Sequence, residues 1–298
     1  MARFVAALLF LAGVSLPAQD IISARAGYLN YQEGQPALER RQLQQGETFR
    51  GQGRTELLLT AGSFLRLDQN SEIRMLSTRL SEVQVELVEG TVSVEVNELP
   101  KLARLTLVWG ERSFPIEHTG LYRFQAQNGL LRVAVQQGKL RLPGLDKTLK
   151  GGHGVEVSSG GISSAAKFDR HADDSFDLWS RSRAELLSVA SLRSAHSLNT
   201  RGFAFRNSLW AFNSFLGCYT YLPYSAYITS PWGFPFYSPR FIWIYAPPYG
   251  GGHGPGRANG GGGGTSQGGV ATPSGPAPRV DGPPRVRDDR PNPRVSEK

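Results

Sequence analysis

Five histidines, one cysteine and a scatter of carboxylates are the residues of this chain with the most capacity for chemistry. His118, His153, His171, His196 and His253 stand far apart, without the paired spacing of zinc sites and without cysteine partners. The tightest group is His171 with Asp169, Asp173 and Asp174. Such carboxylates can hold a hard cation, yet acidic residues just before a helix usually cap it, and capping is the reading taken for Asp173 and Asp174. No G-x-S-x-G elbow, phosphate loop or H-E-x-x-H string occurs. The GGHG strings at 151–154 and 251–254 read as a turn and as linker. No pair of carboxylates is singled out for glycoside cleavage. The expectation is a protein that is not an enzyme, with no cofactor and no metal.

Aromatic rings are the other chemistry-bearing group. Between Phe203 and Tyr249 the chain is dense in them and is broken by Pro223, Pro231, Pro235 and Pro239, a pattern that fits neither a helix nor simple alternation. Rings of this size bring large apolar area, and left exposed they would form a sticky patch. The segment therefore either wraps onto the rest of the fold or meets a partner. Trp179, Trp210, Tyr221, Trp232 and Trp243 are the candidate contacts to a protein or to a glycan. The partner class is an unknown envelope protein or polysaccharide. Nucleic acid is not expected, because arginines and rings are not interleaved on one strand face.

These residues need a scaffold, and the first half of the chain supplies one. Glycines at 62, 90 and 138 each sit between alternating runs, in LLLTAGSFLRL, VELVEGTVSVEV and VAVQQGKLRL. Period two means strands with one buried face. A glycine between two such strands predicts a tight hairpin, because short turns require a positive φ. Turn signals every eight to twelve residues, with no helical stretch between them, predict an all-β sandwich, barrel or roll. The gaps between the three glycines are unequal, which argues against a regular array.

One helix is expected over 173–198, with Phe176, Trp179, Leu186 and Leu187 on its packing face and Arg181 and Arg183 exposed. An aromatic and proline-rich extension covers 200–249, and a glycine-, proline- and arginine-rich tail over 250–298 reads as disordered. Met1 to Ala18 reads as a secretory signal, with Arg3 before an apolar run too short to span a bilayer. The protein is accordingly expected outside the cytoplasm, in the periplasm or on the outer cell surface, with no membrane span once the signal is cleaved. A single cysteine, Cys218, allows no internal disulfide and is expected to be buried as a small apolar residue. The net charge of +8 is uneven: residues 21–145 balance at +2 and 146–298 at +6. Such a basic half is either solvated or drawn to anionic envelope polymers.

The order of these segments resembles the FecR-type extracytoplasmic domain over residues 43–157, within a β domain placed at 21–165. The likeness is carried by Gly46-Glu47-Thr48-Phe49, by Ala61-Gly62-Ser63-Phe64-Leu65-Arg66-Leu67 and by Leu87-Val88-Glu89-Gly90-Thr91-Val92-Ser93-Val94. It continues in Gly120-Leu121-Tyr122-Arg123-Phe124 and in a closing unit around Gly138. Ala61 stands where such domains usually carry an acidic residue. The resemblance implies a mainly β fold: a compact antiparallel sandwich or roll, followed by one amphipathic helix, the aromatic segment and the tail. It also implies a role in the envelope, as a non-catalytic binding or scaffold module. The alternatives are a cell-wall polysaccharide binder or hydrolase, and an envelope signalling component. FecR-like regulators relay a signal through one membrane span to a cytoplasmic segment. Here the apolar run begins at Phe4, which leaves no such segment expected.

Overall fold

A computed structural model describes residues 21–22, 26–36, 41–142, 148–170, 173–200, 206–225 and 227–245. The expected signal at 1–18 and the expected disordered tail at 250–298 lie outside the described residues, as does His171. The alternating runs become strands β1 (Ile21–Ile22), β2 (Tyr28–Gln32), β3 (Thr48–Arg50), β4 (Thr55–Leu58), β5 (Ser63–Leu67), β6 (Glu72–Arg79) and β7 (Glu82–Val96). They continue as β8 (Leu105–Trp109), β9 (Arg112–Ile116), β10 (Gly120–Gln127), β11 (Leu130–Gln137), β12 (Lys139–Arg141) and β13 (Thr148–Lys150). Then come β14 (His153–Ser158), β15 (Gly161–Ile162), β16 (Ala166–Lys167) and helix α1 (Ser175–Thr200). The aromatic segment forms β17 (Leu209–Asn213), β18 (Cys218–Leu222), β19 (Tyr227–Thr229), β20 (Pro235–Tyr237) and the short helix α2 (Ile242–Tyr245).

Thirteen of these strands form one sheet that folds back on itself at β7. The first half of β7 pairs antiparallel with β6 and parallel with β8, making a small leaf ordered β3-β6-β7-β8-β9. Its second half pairs with β5 and β10 in a larger leaf ordered β15-β14-β11-β10-β7-β5-β4-β2. The two leaves close over an aliphatic core that includes Met75, Val85, Leu107 and Phe114 from one and Leu57, Leu65, Val94, Phe124 and Val133 from the other. The architecture is the expected mainly antiparallel β fold followed by a helix.

Only one of the three glycine-centred units is a hairpin. At Gly62 the chain reverses between β4 and β5, and the Ser63 amide donates to the Thr60 carbonyl at 2.8 Å. Gly90, in contrast, lies inside β7 at the corner where the strand passes from one leaf to the other. Its φ is +95°, and a Cβ there would stand 2.5 Å from Ser71 Oγ and 2.6 Å from Ser71 Cα. Gly138 likewise bends β11 into β12, where a Cβ would meet the Thr119 carbonyl oxygen at 2.5 Å. The flanking alternation is the same in all three. What differs is the pairing of the flanking runs: those around Gly62 pair with each other, whereas those around Gly90 and Gly138 pair with other strands.

A third layer covers the outer face of the larger leaf. It consists of α1, the sheet β1-β17-β18 and the hairpin β19-β20. Trp210, Phe212, Tyr219, Tyr221, Tyr227, Phe236 and Tyr237 are thus strand residues, in short strands separated by the prolines and turns. Tyr28, Leu58 and Phe64 of the leaf pack with Leu187, Trp210, Tyr219, Tyr221 and Phe236. Cys218 is buried in this second core. Helix α1 turns Ser188, Ser191 and Ser194 inward together with Ala184, Ala190 and Ala195, so strands approach it closely and bond to its hydroxyls. Ser188 Oγ donates to the Pro235 carbonyl at 2.5 Å, and Ser191 Oγ accepts from the Tyr237 amide at 2.9 Å. Among the described residues no helix is long and apolar enough to cross a membrane.

Candidate binding surface

Asp174 sets the start of α1. Its Oδ1 accepts from the amides of Phe176 at 3.0 Å and Asp177 at 2.9 Å, as an N-cap does. Arg123, from the outer face of β10, pairs with Asp174 Oδ2 at 2.5 Å and Asp177 Oδ2 at 2.6 Å, fastening the first turn to the leaf. Gln136 of β11 adds its Nε2 to Asp177 Oδ1 at 3.2 Å. The capping role expected of the acidic pair thus falls to Asp174. Among the described residues no group of three or more His, Cys, Asp and Glu side chains could hold a metal ion.

About two turns further along α1, a row of buried charges crosses the interface. Arg66, 1% exposed, donates Nε to Glu56 Oε2 at 2.9 Å and Nη1 to Glu95 Oε2 at 2.5 Å. Arg183 donates Nη2 to Glu56 Oε1 at 2.8 Å, and Asn30 donates Nδ2 to the same oxygen at 2.9 Å. Asn30 also exchanges hydrogen bonds with the Tyr219 backbone, giving to its carbonyl at 2.9 Å and accepting from its amide at 2.7 Å. Burial pushes the Glu56 carboxyl up, but Arg183 and Arg66, with bonds from Arg183 and Asn30, overcome this and hold it down to about 2. Glu95 goes the other way: burial raises it more than Arg66 lowers it, and the Glu56 charge adds to the rise. Arg183 was expected to face solvent and does not, because the buried Glu56 carboxylate requires a second cation. Nothing in the row opens to a cleft, so its work is to join layers.

The five aromatic candidates separate by burial. Trp210 and Tyr221 are both 0% exposed: Trp210 packs edge-on to Phe64 at 4.9 Å, and the Tyr221 hydroxyl bonds to Glu98. Neither has a face to offer a partner in this fold, because the outer leaf needs their area to close it. Trp179 is half-buried, stacked on Phe176 at 5.9 Å with the Arg54 guanidinium 5.8 Å from its ring centre. Trp243, on α2, is 61% exposed.

Trp232 is the candidate that lines a cleft. It is half-buried in the turn between β19 and β20, beside Pro231. Gln136, Arg170, Asp173 and Arg181 form the other walls of a concavity of 400 Å³. Five separate stretches of chain, namely β10, β11, the residues before α1, α1 itself and the β19-β20 turn, thus converge on one place. Among the described residues Arg170, Arg181 and Asp173 form no ion pair, in contrast to Arg54, Arg66, Arg123 and Arg183 on the same face of the leaf. Gln136 Oε1 and Trp232 Nε1 also make no hydrogen bond. Sequence reasoning named Trp232 but missed its neighbours. Arg170, Gln136 and Arg181 share no motif, and only the docking of α1 and β20 brings them together.

No family model matches the chain, and no curated protein does. Solved structures similar to it include two crystal structures of a candidate anti-sigma factor from Parabacteroides distasonis, each 16% identical in sequence. One aligns with a TM-score of 0.35 over 42% of this chain and 61% of that one. The other aligns with a TM-score of 0.32 over 43% and 59% respectively. The chain therefore spans about three fifths of the length of those structures. The surface is read from its own geometry.

Proposed function

We propose that this protein is a non-catalytic, exported envelope protein whose β domain, of the FecR type, serves as a binding module. The observation that carries the reading is the Trp232 cleft, in which an accessible ring and two unpaired arginines converge on a rigid three-layer scaffold. A concave site with a ring and a few aimed polar groups is the usual form of a ligand cleft. The export reading rests on the Arg3 and apolar opening of the chain, and the FecR reading on the order of its motifs.

Deleting residues 200–249 would not test this role, since it would uncover Phe64, Leu58 and the charged row. Point changes in the cleft are the cleaner instrument. The purified chain is incubated with isolated cell envelopes and sedimented. The parent is expected to co-sediment without releasing soluble fragments, and Trp232→Ala or Arg181→Ala to remain in the supernatant while keeping the parent's unfolding midpoint. Parent protein that fails to sediment, or variants that sediment equally, would overturn the assignment. Release of soluble fragments would overturn the non-catalytic part of it.

A further inference from the structure

The chemistry of the cleft walls narrows what the module binds. Arginine presents a planar fork that matches a carboxylate in bidentate fashion. Arg170 and Arg181 have that capacity unspent. Trp232 supplies a flat apolar surface with a polar edge, suited to the face of a ring that is apolar on one side and wet at its rim. Gln136 Oε1 and Trp232 Nε1 are buried behind this surface without a hydrogen-bond partner, so the groups open to a ligand are the ring, the two guanidinia and the Asp173 carboxylate. Asp173 lies in the same walls and disfavours a doubly charged phosphate more than a singly charged carboxylate. A volume of 400 Å³ is near the lower end of the ~300–1,000 Å³ range of ligand clefts, suited to a unit or two of a chain rather than to a folded partner.

We propose that the Trp232 cleft binds a pyranose ring that carries a carboxylate, presented on an envelope glycan. The proposal rests on the binding-module reading above. Trp232 takes the face of the ring, Arg170 and Arg181 take the carboxylate, and Asp173 takes hydroxyls. Two kinds of polymer offer this chemistry: those built of hexuronic acids, and those with a lactyl carboxylate on the sugar.

Titration calorimetry with the full chain tests it, using oligogalacturonate, a soluble N-acetylglucosamine–N-acetylmuramic acid oligomer, neutral cello-oligosaccharide and inorganic phosphate as separate probes. At least one acidic glycan should bind about tenfold more tightly than the neutral one, a difference of one charge-assisted contact. Whichever acidic arm binds identifies the source of the carboxylate. Arg181→Gln should weaken the acidic arm about tenfold, to the level of the neutral one, and Trp232→Ala should weaken every glycan arm. Rising salt should narrow the preference for the acidic probe. Equal binding of acidic and neutral probes would overturn the carboxylate assignment, as would phosphate competing for the site. No glycan binding, together with envelope sedimentation that still depends on Trp232, would overturn the glycan and leave the module standing. Loss of that sedimentation in the parent is the separate result that removes the module itself.

Discussion

The two faces of the larger leaf are closed by different means, although their residues alternate along the same strands. Toward the small leaf, Leu65, Val92 and Val94 enter an apolar core of aliphatic side chains with Phe114, Tyr122 and Phe124. Toward α1 and the aromatic strands, Arg66 and Glu95, which sit beside them in β5 and β7, are just as deeply buried but are held in ion pairs. Shape alone specifies the first face, where apolar side chains of similar volume can substitute for one another. The second is specified by the pairing of buried charges, and removing one of a pair leaves the other stranded in a dry place.

That contrast is exposed most sharply by Glu56→Ala. It strips the buried Arg66 and Arg183 of their shared carboxylate, and a loss of about 4 kcal/mol is expected in urea unfolding. Leu65→Ala, adjacent to Arg66 but on the aliphatic side, should cost about 3 kcal/mol, the usual result of a core cavity. If Leu65→Ala proved the more damaging, the outer face would be held by its rings and not by its charges. Asp174→Ala removes both the cap of α1 and one anchor for Arg123, and should cost about 1–2 kcal/mol by the same measurement. The smallest effect is expected from Glu95→Gln, and its sign depends on pH.

Glu56 and Glu95 respond to pH in opposite directions. The depressed Glu56 contributes stability that is complete above the unfolded carboxylate value of about 4.3 and is lost as pH falls through about 2. Glu95, raised in the folded state, keeps its proton where the unfolded chain has released it, so stability falls as pH rises from about 4.3 toward the raised value. Glu95→Gln should flatten that decline, leaving a difference from the parent below ~1 kcal/mol under pH ~4. An unchanged stability–pH profile in this variant would show that Glu95 is ionised throughout and fully paired with Arg66.

The aliphatic face was readable from the sequence because alternation reports it directly. Met75, Val85, Val94 and Val133 fall where period two puts them. The polar face was not, since Arg66 and Glu95 alternate with apolar residues just as solvent-facing charges do. The faint available signal was pairing: Glu56 and Arg66 are cross-strand neighbours across the Gly62 hairpin. Gly90 shows the same limit in another form. A bend beside Ser71 and a reversal look alike in a string that does not record which backbone passes alongside. The helix start at Asp174 was legible because capping is local. The cleft around Trp232 was not, because Gln136 and Arg181 meet only after a whole layer has docked.

The charged row has a further consequence before folding is complete. Asn30 and Tyr219 are bonded across 189 positions of sequence, so the layer formed by α1 and the aromatic strands can close only after most of the chain has emerged. Until then the larger leaf lies bare on one side. A bare leaf lined with valine and leucine would invite association with other incomplete chains. One that displays Arg66, Glu56 and Glu95 beside Leu58 and Phe64 holds water at its charged part, and its arginine and carboxylates are neighbours before the helix arrives with Arg183. The ions that lock the finished layers together thus also reduce the apolar share of the face that the half-made protein exposes.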